Sequence, residues 1–229
     1  MSNDKKDIGR IFHILRKTYG FKIRRVLQDP LDTLIETILS QNTSDRNSRP
    51  AFLNLKKRFR SWEAVRRASI PQIMSVIKPA GLYRIKSERI KNILEETRSI
   101  HGRPDLKFLK RSKQGEAESF LKGLKGVGPK TLSIVMLFSL GFPYFPVDTY
   151  IFRVTKRLGL IPKKMNIEDA HVYLRKAVLP KMMYEFHINL IMHGRSICKA
   201  GRPRCEICPL KKLCGWYREV FIRGRRPSR

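Results

Sequence analysis

Cys198, Cys205, Cys208 and Cys214 are all the cysteines of the chain, spaced C-x6-C-x2-C-x5-C. In a compartment that keeps thiols reduced, so tight a group points to a metal centre rather than to two disulfides. Four thiolates suit zinc or a cubane iron–sulfur cluster, and thiolate chemistry alone leaves both open. A second candidate lies upstream in Leu121-Lys-Gly-Leu-Lys-Gly-Val-Gly-Pro-Lys130. Gly126 and Gly128 permit positive φ and close backbone approach, and Pro129 suits the first turn of a helix, where its missing N–H costs nothing. Free N–H groups at that helix start would face an anion such as phosphate. Asp148, in Val147-Asp-Thr-Tyr-Ile-Phe-Arg153, offers a carboxylate and stands where it can cap the following helix. His187 and His193, in the helical stretch before the first cysteine, read as packing or hydrogen-bonding histidines.

The elements that must carry these residues are helices. Leu31, Leu34, Ile35, Ile38 and Leu39 recur at i, i+3, i+4, i+7, i+8, a pattern that buries one helix face. Similar stripes occur at Ile8, Ile11, Phe12, Leu15, at Ile90, Ile93, Leu94, Thr97 and at Met183, Phe186, Leu190, Ile191. Runs of period-two strands are missing, and Pro/Gly breakers cut the chain into segments of helical length. The expectation is an all-α protein of roughly ten helices, with Leu132–Leu140, apolar nearly all round, at the middle of a bundle.

Charge narrows the partner. Among 229 residues, 49 Lys+Arg stand against 19 Asp+Glu, a formal net charge of +30. Such a field calls for a polyanion, nucleic acid ahead of an anionic membrane. From residue 195 onward there are eleven Lys/Arg and two Asp/Glu, so the cysteine segment reads as a nucleic-acid-facing surface. The terminal RGRRPSR reads as a solvated tail able to touch phosphate. The N-terminal MSNDKKDIGRIF has no secretory pattern, and the apolar stretch Leu132–Val147, broken by Ser139, Gly141, Pro143 and Pro146, is too short to span a membrane. A cytoplasmic protein, or a nuclear or organellar one in a eukaryote, is expected, monomeric and not membrane-bound.

LxGVGxKT followed by VDT-x-IFRV resembles the helix-hairpin-helix DNA glycosylase superfamily, most of all its endonuclease III branch. Leu39-Ser-Gln41 with Asp45 is similar to the family's LS-x-Q segment, Gly81-Leu82-Tyr83 to its GLY loop, and His193-Gly-Arg195 followed by Cys198 to its HGR-x-x-C. The order of motifs agrees from about Pro30 to Cys214. The resemblance implies a two-lobed fold: a helical barrel over residues 30–144 carrying the hairpin, and an iron–sulfur domain built from residues 1–29 and 145–229. Double-stranded DNA holding a damaged base or an abasic site would bind across the cleft between them, where Lys130 and Asp148 would meet.

The resemblance also assigns roles. Cys198, Cys205, Cys208 and Cys214 would hold a structural 4Fe-4S cluster, and Lys199, Arg202 and Arg204 between the first ligands would touch the DNA backbone, as would the hairpin at Gly126 and Gly128. A base in the duplex must leave the stack before its C1′–N bond is broken. Gln41 and Leu82 would fill the gap. Lys130 would be the nucleophile, its uncharged amine favoured by the helix start, and Asp148 would stabilise positive charge on the sugar and handle the amine proton. A Schiff base permits β-elimination, so the expected activity is a bifunctional glycosylase and abasic-site lyase acting on oxidised pyrimidines in base excision repair.

Departures from the family pattern bear on substrate preference. Tyr150 stands where relatives often carry His, and Lys125 and Pro129 replace the usual Pro and Arg of the hairpin. Lys130 argues against the monofunctional mismatch and adenine glycosylases, which generally lack it, and little chain follows Cys214 to build an adenine-glycosylase recognition domain. The rivals are a uracil or thymine mismatch glycosylase, a catalytically silent iron–sulfur DNA-binding protein, and a basic helical RNA-binding protein.

Overall fold

The computed structural model describes residues 2–23 and 27–222; the basic tail from residue 223 onward lies outside the described residues. The chain is all-α, with no strand among the described residues. It divides into two compact units, Val26–Phe142 and the pair Met1–Arg25 with Pro143–Arg229. Its α-helices are α1 (Ser2–Tyr19), α2 (Pro30–Ser40), α3 (Asp45–Arg58), α4 (Trp62–Arg67), α5 (Ile70–Ile77), α6 (Tyr83–His101), α7 (Gln114–Gly123), α8 (Pro129–Ile134), α9 (Thr149–Leu158), α10 (Ile167–Ala177), α11 (Met183–Ser196) and α12 (Gly215–Tyr217).

In the Val26–Phe142 unit, α2 starts where the chain supplies a cap. Asp29 accepts from the N–H groups of Leu31 and Asp32, and Pro30 follows at the first helical position. Its stripe Leu31, Leu34, Ile35, Ile38 and Leu39 is fully buried. Opposite it runs α8, continued by a π-helical stretch over Val135–Leu140. Buried Leu132, Val135, Met136, Leu137 and Leu140 explain why that segment is apolar all round. Gly141, at φ 79°, stops it. Against α2, α6 buries Ile90, Ile93, Leu94 and Thr97 and ends at Gly102 in the left-handed region.

The second unit is built from both ends of the chain. Ile8, Ile11, Phe12 and Leu15 of α1 are buried, and Phe12 meets Phe186 of α11 edge-on at 5.9 Å. Beside them Arg16 makes a two-pronged pair with Glu185, at 2.8 and 2.6 Å. On its other side α11 receives α9 at Gly194, where an added Cβ would come within 2.9 Å of the Tyr150 Cβ. The glycine of the HGR segment therefore makes room for α9. Among the described residues, no helix is long and apolar enough to cross a membrane.

Candidate active site and cysteine centre

The hairpin between α7 and α8 uses its two glycines differently. Gly126 lies at φ 92°, which an L-residue rarely adopts, and an added Cβ there would meet Arg89 Cδ at 2.9 Å. Gly128 does not use the positive φ open to it: it is extended (φ −86°, ψ 179°) as the N-cap of α8. Nothing lies within 4 Å of a Cβ built on it, so its share of the hairpin is open space at a helix start. Pro129 and Lys130 form the first turn of α8, with Lys130 half-buried.

Gln41, just past the end of α2, is tied into this hairpin. Its amide Nε2 donates to the Gly126 carbonyl at 3.1 Å and to Thr131 Oγ1 at 3.2 Å. Its Oε1 accepts from Arg89 Nη1 at 2.8 Å. With both ends of the amide engaged, the orientation of Gln41 is fixed by the hairpin and by α6.

Leu82 begins α6 in the left-handed region (φ 46°) after Gly81 (φ 64°), with no side-chain cap. It is 52% exposed, which excludes core packing, and Tyr83 and Ile85 beside it are exposed as well. One lysine of α6 behaves differently. Lys86 is buried and donates to the carbonyls of Leu39 and Ala80, a role its sequence position does not reveal.

In the other unit Asp148 is the N-cap of α9. Its Oδ1 accepts from the Ile151 N–H at 2.8 Å. One turn on, Arg153 donates to the carbonyls of Cys198 and Gly194 at 3.0 and 2.9 Å. Arg157 donates to those of Lys199 and Ala200 at 2.7 and 2.8 Å, approaches Cys198 Sγ at 3.5 Å, and lies over the Trp216 ring. The helix capped by Asp148 thus grips the loop of the first cysteine. Spacing four apart puts both arginines on one face of α9, a signal present in the sequence but hidden by its many basic residues.

The four cysteines line one cavity together with Val154, Leu158, Ile197, Pro203, Trp216 and Tyr217. Burial raises the thiol pKa values of Cys205, Cys208 and Cys214, that of Cys208 to about 11. Among the described residues, no three His, Cys, Asp or Glu are placed to hold a single metal ion. His193 lies with Nδ1 3.0 Å from the Tyr19 hydroxyl and Nε2 3.7 Å from Cys208 Sγ, its pKa pushed down to about 4 by burial. His187 Nδ1 bonds to the Pro146 carbonyl at 3.0 Å. Both histidines are hydrogen-bonded within the helical packing. Lys199, Arg202 and Arg204 are exposed along the cysteine loop.

Residues 35–178 match the family model of the HhH-GPD superfamily base excision DNA repair protein. The chain belongs to this family. Within it, the chain sits in the endonuclease III branch. It is similar to endonuclease III of Thermotoga maritima, 34% identical over 83% of this chain and 84% of that one. The solved structure of a trapped endonuclease III–DNA covalent intermediate matches with a TM-score of 0.81 at 26% identity, covering 96% of this chain and 99% of that one. An Arabidopsis thaliana protein bearing a DNA glycosylase name is 36% identical over 82% of this chain, which spans 66% of it. The Arabidopsis transcriptional activator DEMETER is 32% identical over 72% of this chain, and only 9% of its length is spanned.

Proposed function

We propose that this HhH-GPD protein is a bifunctional DNA glycosylase and abasic-site lyase that removes oxidised pyrimidines. The observation that carries the reading is Lys130: a half-buried amine in the first turn of α8, directly after the hairpin whose Gly126 anchors Gln41. Its likeness to a protein trapped as a covalent intermediate with DNA supports an amine nucleophile. Nζ attacks C1′ while the C1′–N bond breaks, and the departing base takes the electron pair and a proton. Opening of the sugar leaves a Schiff base; loss of a C2′ proton then expels the 3′ phosphate and cuts the strand. Asp148 would stabilise positive charge on the sugar and receive the amine proton, with its carboxylate held in place by the α9 cap. Gln41 and Leu82 would occupy the gap left by the extruded nucleotide.

The four cysteines would hold a 4Fe-4S cluster. The fit rests on the donor set: four thiols line one cavity, with Arg157 and the Tyr217 N–H directed at the sulfurs of Cys198 and Cys214. When bound, the cluster would supply structural cross-linking of the 198–214 segment, with Lys199, Arg202 and Arg204 presented to the DNA backbone. We place the protein in the cytoplasm, or in the nucleus or an organelle of a eukaryote, as a monomer.

A panel of duplexes, each with one oxidised pyrimidine, a uracil or thymine mismatch, or an abasic site, tests the reading. Excision of oxidised pyrimidines and cleavage at abasic sites are expected from the wild type, with both lost in Lys130→Ala. Mismatch excision without strand cleavage would instead indicate a monofunctional glycosylase. Binding without any turnover would indicate a silent DNA-binding protein, and preference for structured RNA an RNA-binding one. Iron and sulfide analysis of the purified protein should give about four of each per chain; zinc in their place would refute the cluster.

A further inference from the structure

Lys86 is a 1%-exposed lysine that, among the described residues, pairs with no carboxylate. Burying an ammonium is costly unless it is fully engaged, and a methionine would fill the same space at less cost. What it holds is specific. Nζ donates to the Leu39 carbonyl at 2.7 Å and to the Ala80 carbonyl at 2.8 Å. Leu39 lies in the last turn of α2, where carbonyls lack helical partners, two residues before Gln41. Ala80 ends a short 3-10 turn two residues before Leu82.

Those two turns share a second property. Among the described residues, only Asn42 (φ 53°) and Leu82 (φ 46°) are non-glycine residues at positive φ. A leucine in that region is disfavoured, so the surrounding structure must hold it there. Lys86 is bonded to the backbone leading into both turns. Arg89, one turn further along α6, bonds to the Gln41 side chain. Burial and the nearby Arg89 charge together push the Lys86 pKa down to about 8, so near neutral pH the ammonium is the prevalent form.

We propose that Lys86 is a positioning residue for nucleotide extrusion: its buried ammonium fastens the Gln41 turn to the Leu82 turn, so that both side chains enter the duplex at a fixed separation. This rests on the reading of Gln41 and Leu82 as the residues that fill the gap. Lys86 touches neither DNA nor the reacting atoms. Its loss should be felt where the duplex must be opened and little where it need not be.

The test uses the full-length protein as purified, with wild type, Lys86→Met, Gln41→Ala and Leu82→Ala compared in single turnover. One substrate is a duplex with an oxidised pyrimidine and a 2-aminopurine reporter beside it; the other is a single-stranded oligonucleotide with an abasic site. Lys86→Met should excise from the duplex about 100-fold more slowly, the size of effect expected for an ångström-scale misplacement, and lose the 2-aminopurine rise. Cleavage of the single strand should stay within about threefold of wild type. Wild-type excision and fluorescence from Lys86→Met overturn the proposal, as does an equal loss on both substrates, which would mark a general structural role. If Lys86→Met does not fold, Lys86→Gln carries the same comparison: a loss confined to the duplex is expected, and an equal loss on both overturns it. If Gln41→Ala and Leu82→Ala leave the fluorescence and the duplex rate unchanged, the gap-filling reading itself fails. If they lower both and Lys86→Met does not, only the role of Lys86 fails.

Discussion

Arg89 donates to the side-chain oxygen of Gln41 at 2.8 Å while its own Cδ occupies the space that a side chain on Gly126 would need. One arginine thus orients Gln41 and would have to shift to admit a side chain at Gly126.

Gly126→Ala should therefore destabilise the fold by about 1–3 kcal/mol, through positive φ and through displacement of Arg89. Gly128→Ala meets no atom and keeps an ordinary extended φ, so its unfolding midpoint should stay near wild type while affinity for abasic duplex falls. Chemical denaturation and DNA titration of the two variants separate these effects; equal stability losses would contradict the distinct roles of the glycines.

Asp148 has a capping role and a proposed chemical one, and two substitutions distinguish them. Asp148→Asn retains a side-chain oxygen for the Ile151 N–H, so stability should hold while excision is lost. Asp148→Ala should lose excision and also about 1 kcal/mol of stability. Wild-type turnover by Asp148→Asn would remove the carboxylate from the mechanism.

Much of this was legible in the sequence and some was hidden, for physical reasons. The stripe Leu31 to Leu39 is readable because local periodicity sets it, and the grouping of the four cysteines because they stand within seventeen residues that close around one cavity. Lys86 is not. In a chain with 49 basic residues nothing local distinguishes it, and its burial follows from where α2 and the 3-10 turn at Ala80 end around α6. Gly128 looked like a conformational glycine, whereas Gly126 alone takes the positive φ and Gly128 serves the start of α8. The π-helical turns at Val135–Leu140 also escaped, because an apolar run looks the same in either helical form.

The depressed Lys86 pKa has a definite sign in stability. From about pH 8 up to the ordinary lysine value, the unfolded chain keeps a proton that the folded chain has released, so this position's contribution to stability rises with pH. Its cost is complete below pH 8. Relative to Lys86→Met, wild type should gain up to about 1.4 kcal/mol per pH unit across that window. Urea unfolding of both proteins at two pH values spanning it measures the gain; a difference independent of pH would contradict the shift.

Lys199, Arg202 and Arg204 are exposed, so replacing all three by Ala should leave folding intact and weaken the salt dependence of DNA binding. The slope of log affinity against log salt should become shallower by about 0.9 for each phosphate that these side chains neutralise. An unchanged slope in a salt titration with abasic duplex would move the DNA surface elsewhere.

Borohydride reduction of the protein on an abasic duplex, followed by peptide mapping of the adduct, tests the nucleophile most directly. One reduced linkage, on Lys130, is expected, with no adduct from Lys130→Ala. An adduct on Lys125 or another amine, or full-yield trapping by Lys130→Ala, would contradict the assignment.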